Sequence, residues 1–346
     1  MGNLKQILDV YVSKKLLTVD VLDDLYLYNY TSEVQFHHKW DEYTKMARGI
    51  ILNSNGDIVA RPFRKFYNFN EVDETALLNL PNEKPEVSVK MDGSLGILFK
   101  HNGEHKITTR GKFTSEQSVV ANQILQEKYS NTNFDLYKQY TLLFEIIYPE
   151  NKVVVDYGEQ EELYLLAIRD RFTGEYLSSN IIENVFDCWE FPATRCYNFS
   201  SIDNIISETK VIDLNQEGWV VEFEDGQRFK FKGEEYKRLH KLITGLSFKW
   251  ALENYHNGTI EKARTIIPEE FHEDLDRWVE EIEDKIYEIE NRVNDAFYLA
   301  PKTTRKEFAL WVMENHKDLA PYLFAKIDNR DIEPLILKQE FKNRSE

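Results

Sequence analysis

Between residues 49 and 232 the chain alternates short apolar runs with turn signals. GIILNSNGDIVARPF (49–63), SVKMDGSLGILF (88–99), HKITTRG (105–111), YTLLFEIIY (140–148), KVVVDY (152–157), LYLLAIRD (163–170) and GWVVEFEDGQRFKFK (218–232) have the lengths and residue types of β-strands. Asn55-Gly56, Asn102-Gly103 and Asp225-Gly226 supply tight turns, so antiparallel hairpins follow. Helices are interleaved: residues 3–16 are amphipathic, and Ser115–Lys128 opens on a capping serine. After about residue 240 the strand pattern stops. Phe271, Leu275, Trp278, Ile282, Ile286, Ile289, Val293 and Phe297 recur at steps of three and four with acids on the other faces, which predicts one long helix. Pro268 before it, acids at its start and Pro301 after it fit helix punctuation and the macrodipole. The predicted fold class is α+β: a mainly antiparallel-sheet domain over 1–240, then an all-α C-terminal domain over 241–346. No internal repeat or low-complexity linker divides them.

Composition narrows the class. The chain has 346 residues, 42% hydrophobic and 13% aromatic, enough for two cores. No apolar run reaches membrane-span length and MGNLKQILDVYVSKKL lacks a signal-peptide pattern, so the expected location is the cytoplasm, the host's if the source is viral. Cys188 and Cys196 are too few for a disulfide scaffold or zinc cluster and read as buried or incidental thiols. The sequons at Asn29, Asn198, Asn257 and Asn343 carry no meaning without secretion. A net charge of −17 argues against a broad nucleic-acid-binding face. Two local basic stretches stand against that background: Lys100, His101, His105, Lys106, Arg110 and Lys112, and Arg228, Lys230, Lys232, Lys237 and Arg238. Solvated strand faces explain any one of them; clustering beside a site gives the functional reading equal weight.

Charges inside apolar strands carry the chemistry. Lys90 ends VSVK, Glu145 lies within YTLLFEIIY, Arg169 ends LYLLAIR, and Lys230 and Lys232 are two apart on one strand face. Singly, each reads as a satisfied structural ion or an outward residue. Together with Glu217 they suggest one polar cavity, because buried charges persist when paired or bound to a ligand. Bringing a lysine's pKa from about 10.4 to near 7 takes roughly 4–5 kcal/mol of differential stabilisation, which desolvation and nearby cations supply. Val89, Ile97 and Phe99 are candidate pocket walls. Asp92 works the other way, unless Gly93 turns it aside or metal and phosphates outweigh it. Paired lysines on one strand suit a polyphosphate better than a Schiff base.

Lys90-Met91-Asp92-Gly93-Ser94 resembles the nucleophile motif of the covalent nucleotidyltransferases, the superfamily of ATP-dependent ligases and GTP-dependent capping enzymes. The order of ARGIILN with Arg48, RPFRKFYNFNE (61–71), TTRG (108–111), FEIIYP (144–149), NKVVVDY (151–157), EGWVVEF (217–223) and FKFK (229–232) narrows the resemblance to the phage-type RNA ligase 1 family, over about residues 40–240. That resemblance implies an ATP-dependent RNA ligase. Lys90 would take AMP from ATP with release of pyrophosphate, AMP would pass to an RNA 5′-phosphate, and a 3′-hydroxyl would displace it, in the presence of Mg²⁺ or Mn²⁺. It places Lys230 and Lys232 near the α-phosphate, Arg48 and Lys65 on the outer phosphates, and Glu145 and Glu217 at the ribose or at a metal held through water. Tyr67 would lie against the adenine or its ribose, with core packing an equal account. Val89 and Arg110 would border the nucleotide, with an ordinary hairpin end the competing account for Arg110, and Gly93 and Gly218 would admit it to the backbone.

The helical C-terminal half, in place of the β-barrel of DNA ligases and capping enzymes, favours RNA. A broken tRNA is the implied substrate, repair the implied role, Lys302, Arg305 and Lys306 the phosphate contacts, and a monomer the expected state. Two alternatives remain: another covalent nucleotidyltransferase, namely a DNA ligase or a capping enzyme, and a non-catalytic nucleotide- or RNA-binding module.

Overall fold

A computed structural model describes residues 3–177, 191–213, 215–243, 245–267 and 271–342. Cys188, Pro268 and Asn343 lie outside the described residues. The chain forms two compact units, Met1–His240 and Lys241–Glu346.

The strands of the first unit, in chain order, are β1 (Leu17–Leu22), β2 (Leu25–Tyr30), β3 (Arg48–Asn53), β4 (Ile58–Ala60), β5 (Tyr67–Asn68), β6 (Glu86–Lys90), β7 (Ser94–His101), β8 (Glu104–Thr108), β9 (Tyr140–Ile147), β10 (Glu162–Asp170), β11 (Cys196–Tyr197), β12 (Gly218–Glu222) and β13 (Arg228–Lys232). They form three sheets, ordered β1-β2-β3-β4, β10-β9-β7-β8 and β11-β6-β12-β13-β5. Pairing is antiparallel except between β13 and β5. β9 lies between β10 and β7 and is buried on both faces, which explains its unbroken apolar run. Helix Glu116–Tyr129, capped by Ser115, buries Ala121, Ile124, Leu125 and Tyr129 with Ile107, Leu142 and Phe144. Helix Leu4–Ser13 seats Leu8 among Leu17, Tyr28, Ile50 and Leu52.

KVVVDY is not a strand. Its N–H groups at Val154 and Val155 donate to the Asp92 carboxylate at 2.9 Å each, which takes them out of any ladder.

The second unit is helical among its described residues. Helix His272–Leu299 buries Leu275, Trp278, Ile282, Ile286, Ile289, Val293 and Ala296, one stripe at steps of three and four. These pack with Phe248, Ala251, Phe308, Val312, Leu323, Ile336 and Leu337 from the neighbouring helices. No helix among the described residues is long and apolar enough to cross a membrane.

Candidate active site

The register of one sheet assembles the charged centre. Gly218, the first residue of β12, pairs with Lys90 of β6 on one side and Lys232 of β13 on the other. Glu217 therefore enters between two lysines. Its Oε2 accepts from Lys90 Nζ at 2.5 Å, and its Oε1 lies 3.0 Å from Lys232 Nζ. Glu217 is 2% exposed, whereas the Lys90 side chain keeps 21% of its surface open. Burial opposes the charge on Glu217, yet the two ammonium groups hold its carboxyl below the usual carboxylate range. Gly218 is demanded by close approach: a Cβ there would lie 1.9 Å from the Phe231 carbonyl oxygen.

Across the gap, β9 brings Glu145, whose Oε1 accepts from the Gly93 N–H at 2.9 Å. Desolvation pushes its carboxyl up to about 7, against the pull of Lys90 and with repulsion from Glu217. Gly93 is also packed tightly, since a Cβ would meet the Ile146 carbonyl oxygen at 2.5 Å. Both glycines thus answer to neighbouring strands.

The loop between Lys90 and β7 is fixed by Asp92. One carboxylate oxygen accepts from Val154 and Val155, the other from the Tyr236 hydroxyl at 2.8 Å, and the Asp92 N–H donates to the Tyr157 hydroxyl at 2.9 Å. Asp92 is buried and turned away from the amine it follows. Ser94 Oγ bonds Asn151 Oδ1 at 3.1 Å, and Asn151 donates to the Ile146 carbonyl. NKVVVDY therefore serves as the bracket of the Lys90 loop.

A cleft of about 2210 Å³ runs over these groups, lined by Lys90, Glu145, Lys230, Lys232, Arg48, Lys65, Val89, Gly93 and Arg110. Glu217, Gly218 and Tyr67 are not in its walls. Tyr67 is buried at 2% exposure, meets Trp40 edge-on and lies 4.7 Å beneath the Lys65 ammonium, so it packs in the core and supports a cleft cation. Ile97 and Phe99 are core residues beside Leu25 and Leu143 and form no pocket wall. Arg48 stands over Phe66 with its Nη1 buried and without a hydrogen-bond partner among the described residues. Arg110 donates to the Tyr30 hydroxyl at 2.7 Å. Arg169 also reaches the cleft, but its guanidinium ties the carbonyls of Gly174 and Pro62.

The basic stretches divide: Arg110, Arg228, Lys230 and Lys232 line the cleft, and most of the others lie in separate pairs. Lys100 pairs with Asp135 and Lys106 with Glu104, His101 is buried 3.0 Å from Asp23, and Lys237 and Arg238 pair with Glu234 and Glu235. Cys196, expected to be buried or incidental, is exposed on β11 and lines the cleft.

The family model described as RNA ligase, of the T4 ligase 1 type, matches residues 46–237. The chain belongs to the RNA ligase family. The resemblance read from the lysine motif and its companions is borne out by that match. A candidate bifunctional polynucleotide kinase/RNA ligase of Autographa californica nuclear polyhedrosis virus is 30% identical over 221 residues, covering 56% of this chain and 30% of that protein. A candidate RNA ligase of Thermovibrio ammonificans is 30% identical over 209 residues, 58% of this chain and 54% of that one. The matched segment thus spans about half or less of these relatives. A candidate ATP-dependent DNA ligase from Aquifex aeolicus superposes with a TM-score of 0.54 at 15% identity, over 84% of this chain and 81% of that one, a likeness of fold.

Within the ligase family frame, the carboxylates differ in their fitness for a metal. Among the described residues no three His, Cys, Asp or Glu side chains converge as a direct ligand set. Both Glu217 oxygens are engaged by lysines, whereas Glu145 lines the cleft with one oxygen on Gly93 and, among the described residues, the other uncommitted to a hydrogen bond. A hydrated cation fits Glu145; Glu217 fits one only after Lys90 swings away. Tyr157 and Tyr236 are the residues that sequence reasoning missed. The only signal for them was a hydroxyl-bearing aromatic close after NKVVV and FKFK.

Proposed function

We propose that the chain is an ATP-dependent RNA ligase working through a lysyl-adenylate. What carries the reading is the Lys90 amine, reachable from the cleft and hydrogen-bonded to a buried carboxylate that also holds Lys232. In the first step the Lys90 nitrogen, its proton lost, attacks the α-phosphorus of ATP, a P–N bond forms and pyrophosphate leaves. In the second, a 5′-phosphate oxygen of RNA takes the adenylyl group and Lys90 is regenerated. In the third, a 3′-hydroxyl attacks that 5′-phosphorus, AMP leaves and a phosphodiester remains. Each step places charge on phosphoryl oxygens, which Lys230 and Lys232 are positioned to neutralise from β13. Arg48, Lys65 and Arg110 line the same cleft and suit the outer phosphates. A divalent cation bound through water at Glu145 would supply further charge neutralisation. Broken tRNA as the substrate and a monomeric state belong to the same proposal.

Incubation with α-labelled ATP and Mg²⁺ should label the protein through a phosphoramidate, lost in acid and stable in base. Lys90→Ala should abolish the label. An unlabelled wild type, or a labelled Lys90→Ala, overturns the reading. Labelling by GTP instead would make it a capping-type enzyme, and sealing of 5′-phosphorylated DNA but not RNA would make it a DNA ligase.

A further inference from the structure

One part of the cleft wall gathers arginines from three separate stretches of the first unit: Arg61 and Arg64 between β4 and β5, Arg169 near the end of β10, and Arg228 at the start of β13. Tyr176 is a common neighbour, with the Arg169 guanidinium 4.8 Å and the Arg228 guanidinium 4.2 Å from its ring centre. Arg64, Arg169, Gly174, Tyr176 and Arg228 all line the cleft. Carboxylates do not balance this group. Glu222 takes Arg228, Asp170 accepts from the N–H groups of Phe172 and Thr173, and Glu175 lies 3.5 Å from the Thr173 hydroxyl. Among the described ion pairs none reaches Arg61, Arg64 or Arg169.

Arg61 and Arg169 instead donate to backbone carbonyls, which neutralise no charge. Nε and Nη2 of Arg61 bond Arg171 and Phe172, and Nε and Nη1 of Arg169 bond Gly174 and Pro62. One nitrogen of each remains without a hydrogen bond among the described residues, and both lie beside the same point. A Cβ on Gly174 would stand 3.1 Å from Arg61 Nη1 and 3.3 Å from Arg169 Nη2. Glycine keeps that point open, and its φ of +83° resists any side chain. Arg169 is 6% exposed. Burial and then repulsion from Arg61, Arg228 and Arg64, against the pull of Tyr176, bring its guanidinium down to about 10. Guanidinium groups held this close call for an anion, and two planar forks suit the oxygens of a tetrahedral phosphate. Register sets the place apart from the reacting centre: Arg228 lies four residues along β13 from Lys232, about 13 Å at the rise of a strand.

We infer that Arg61 and Arg169, beside Gly174 and with Arg64 exposed on the same wall, form a second phosphate subsite of the cleft, distinct from the place of the phosphorus attacked by Lys90. A ligand of this chemistry has two sources, whose naming rests on the ligase reading above. One is the pyrophosphate released in the first step, the other a backbone phosphate of the RNA.

The test titrates the full chain by calorimetry with sodium pyrophosphate and, separately, with a 5′-phosphorylated RNA trinucleotide. Wild type, Arg61→Gln and Arg61→Lys are compared, each checked for folding by its thermal midpoint. Arg61→Gln should weaken at least one probe about 10-fold or more, the size of a lost charge-assisted hydrogen bond, and Arg61→Lys should recover only part of it, since an ammonium lacks the fork. Loss for pyrophosphate alone assigns the leaving group, loss for the trinucleotide alone assigns the RNA backbone, and loss for both assigns a subsite that serves each in turn. A folded Arg61→Gln that binds both probes as wild type does overturns the inference. Wild-type protein gives a second reading that needs no variant. Under phenylglyoxal, with peptide mass mapping, Arg61 and Arg64 should be protected by the bound probe while Arg277, exposed in the helical unit, is not. Equal modification with and without both probes overturns the subsite. Pyrophosphate binding needs no lysyl-adenylate, so a chain that binds through Arg61 yet fails to label at Lys90 loses the ligase reading and keeps the subsite.

Discussion

Asp92 lies two residues from Lys90, and its carboxylate is saturated by groups that come from far along the chain, 62, 63 and 144 residues away. Such a group is a tie, and its loss has a calculable size. Asp92→Asn presents an amide nitrogen where an acceptor is needed, leaving buried N–H donors unmatched. The expected cost is about 2–4 kcal/mol in urea unfolding, with a fall in lysyl-adenylate formation. Tyr236→Phe removes one of these bonds and should cost about 1–2 kcal/mol. If Asp92→Asn is as stable as wild type, the carboxylate is not the tie. Glu145 gives a test by pH. Its carboxyl is raised from 4.5 to about 7, so the folded chain holds this proton more tightly than the unfolded one. The linked stability is full below 4.5 and is lost as pH rises through about 7. Glu145→Gln cannot lose it, so the variant's stability relative to wild type should rise between pH 5 and pH 8, by at most about 3 kcal/mol. A difference flat in pH would show an ordinary carboxyl. At this scale the lysines and glutamates were legible because a charge in an apolar strand has few uses. Asp92 was not, since its partners are set by tertiary contact, and Tyr67 stayed open between nucleotide contact and core packing because an aromatic reads alike on a cleft wall and in a core.

Strand register does for the site what no local motif does, because it sets Lys90, Gly218 and Lys232 in one row across three strands. A one-residue slip would turn each lysine to the opposite face. Gly218 protects that row. With a Cβ 1.9 Å from the Phe231 carbonyl, Gly218→Ala must push β12 and β13 apart. We expect a loss of about 3–5 kcal/mol in thermal or urea unfolding, together with lost self-adenylylation. Wild-type stability in this variant would mean that the strands can separate without cost. Most elements were legible from alternation and turn pairs, including the hairpins at Asn102-Gly103 and Asp225-Gly226. β1 and β2 drew no turn signal because Asp23, not glycine, takes the positive φ of 52° between them. KVVVDY has strand composition, and only the Asp92 carboxylate, distant in sequence, shows why it is not one.

The family match ends at residue 237, and the helical unit begins at Lys241, so family membership says nothing about what that unit does. Its surface has to be read through charge. The chain carries 43 Lys and Arg against 60 Asp and Glu, a net −17 that repels a polyanion at long range. RNA is then held through a few local contacts, over a small footprint. If the RNA grip is confined to about five phosphate contacts on a single strand, the slope of log affinity against log salt should be about −3.5. A protein gripping RNA through a wide basic face would give a steeper value, near −7 for ten contacts. Titration of 5′-phosphorylated RNA between about 50 and 200 mM NaCl distinguishes the two. A slope near −7 would mean that a wide basic face, and not a few local contacts, carries the RNA, against the repulsion expected from a net charge of −17.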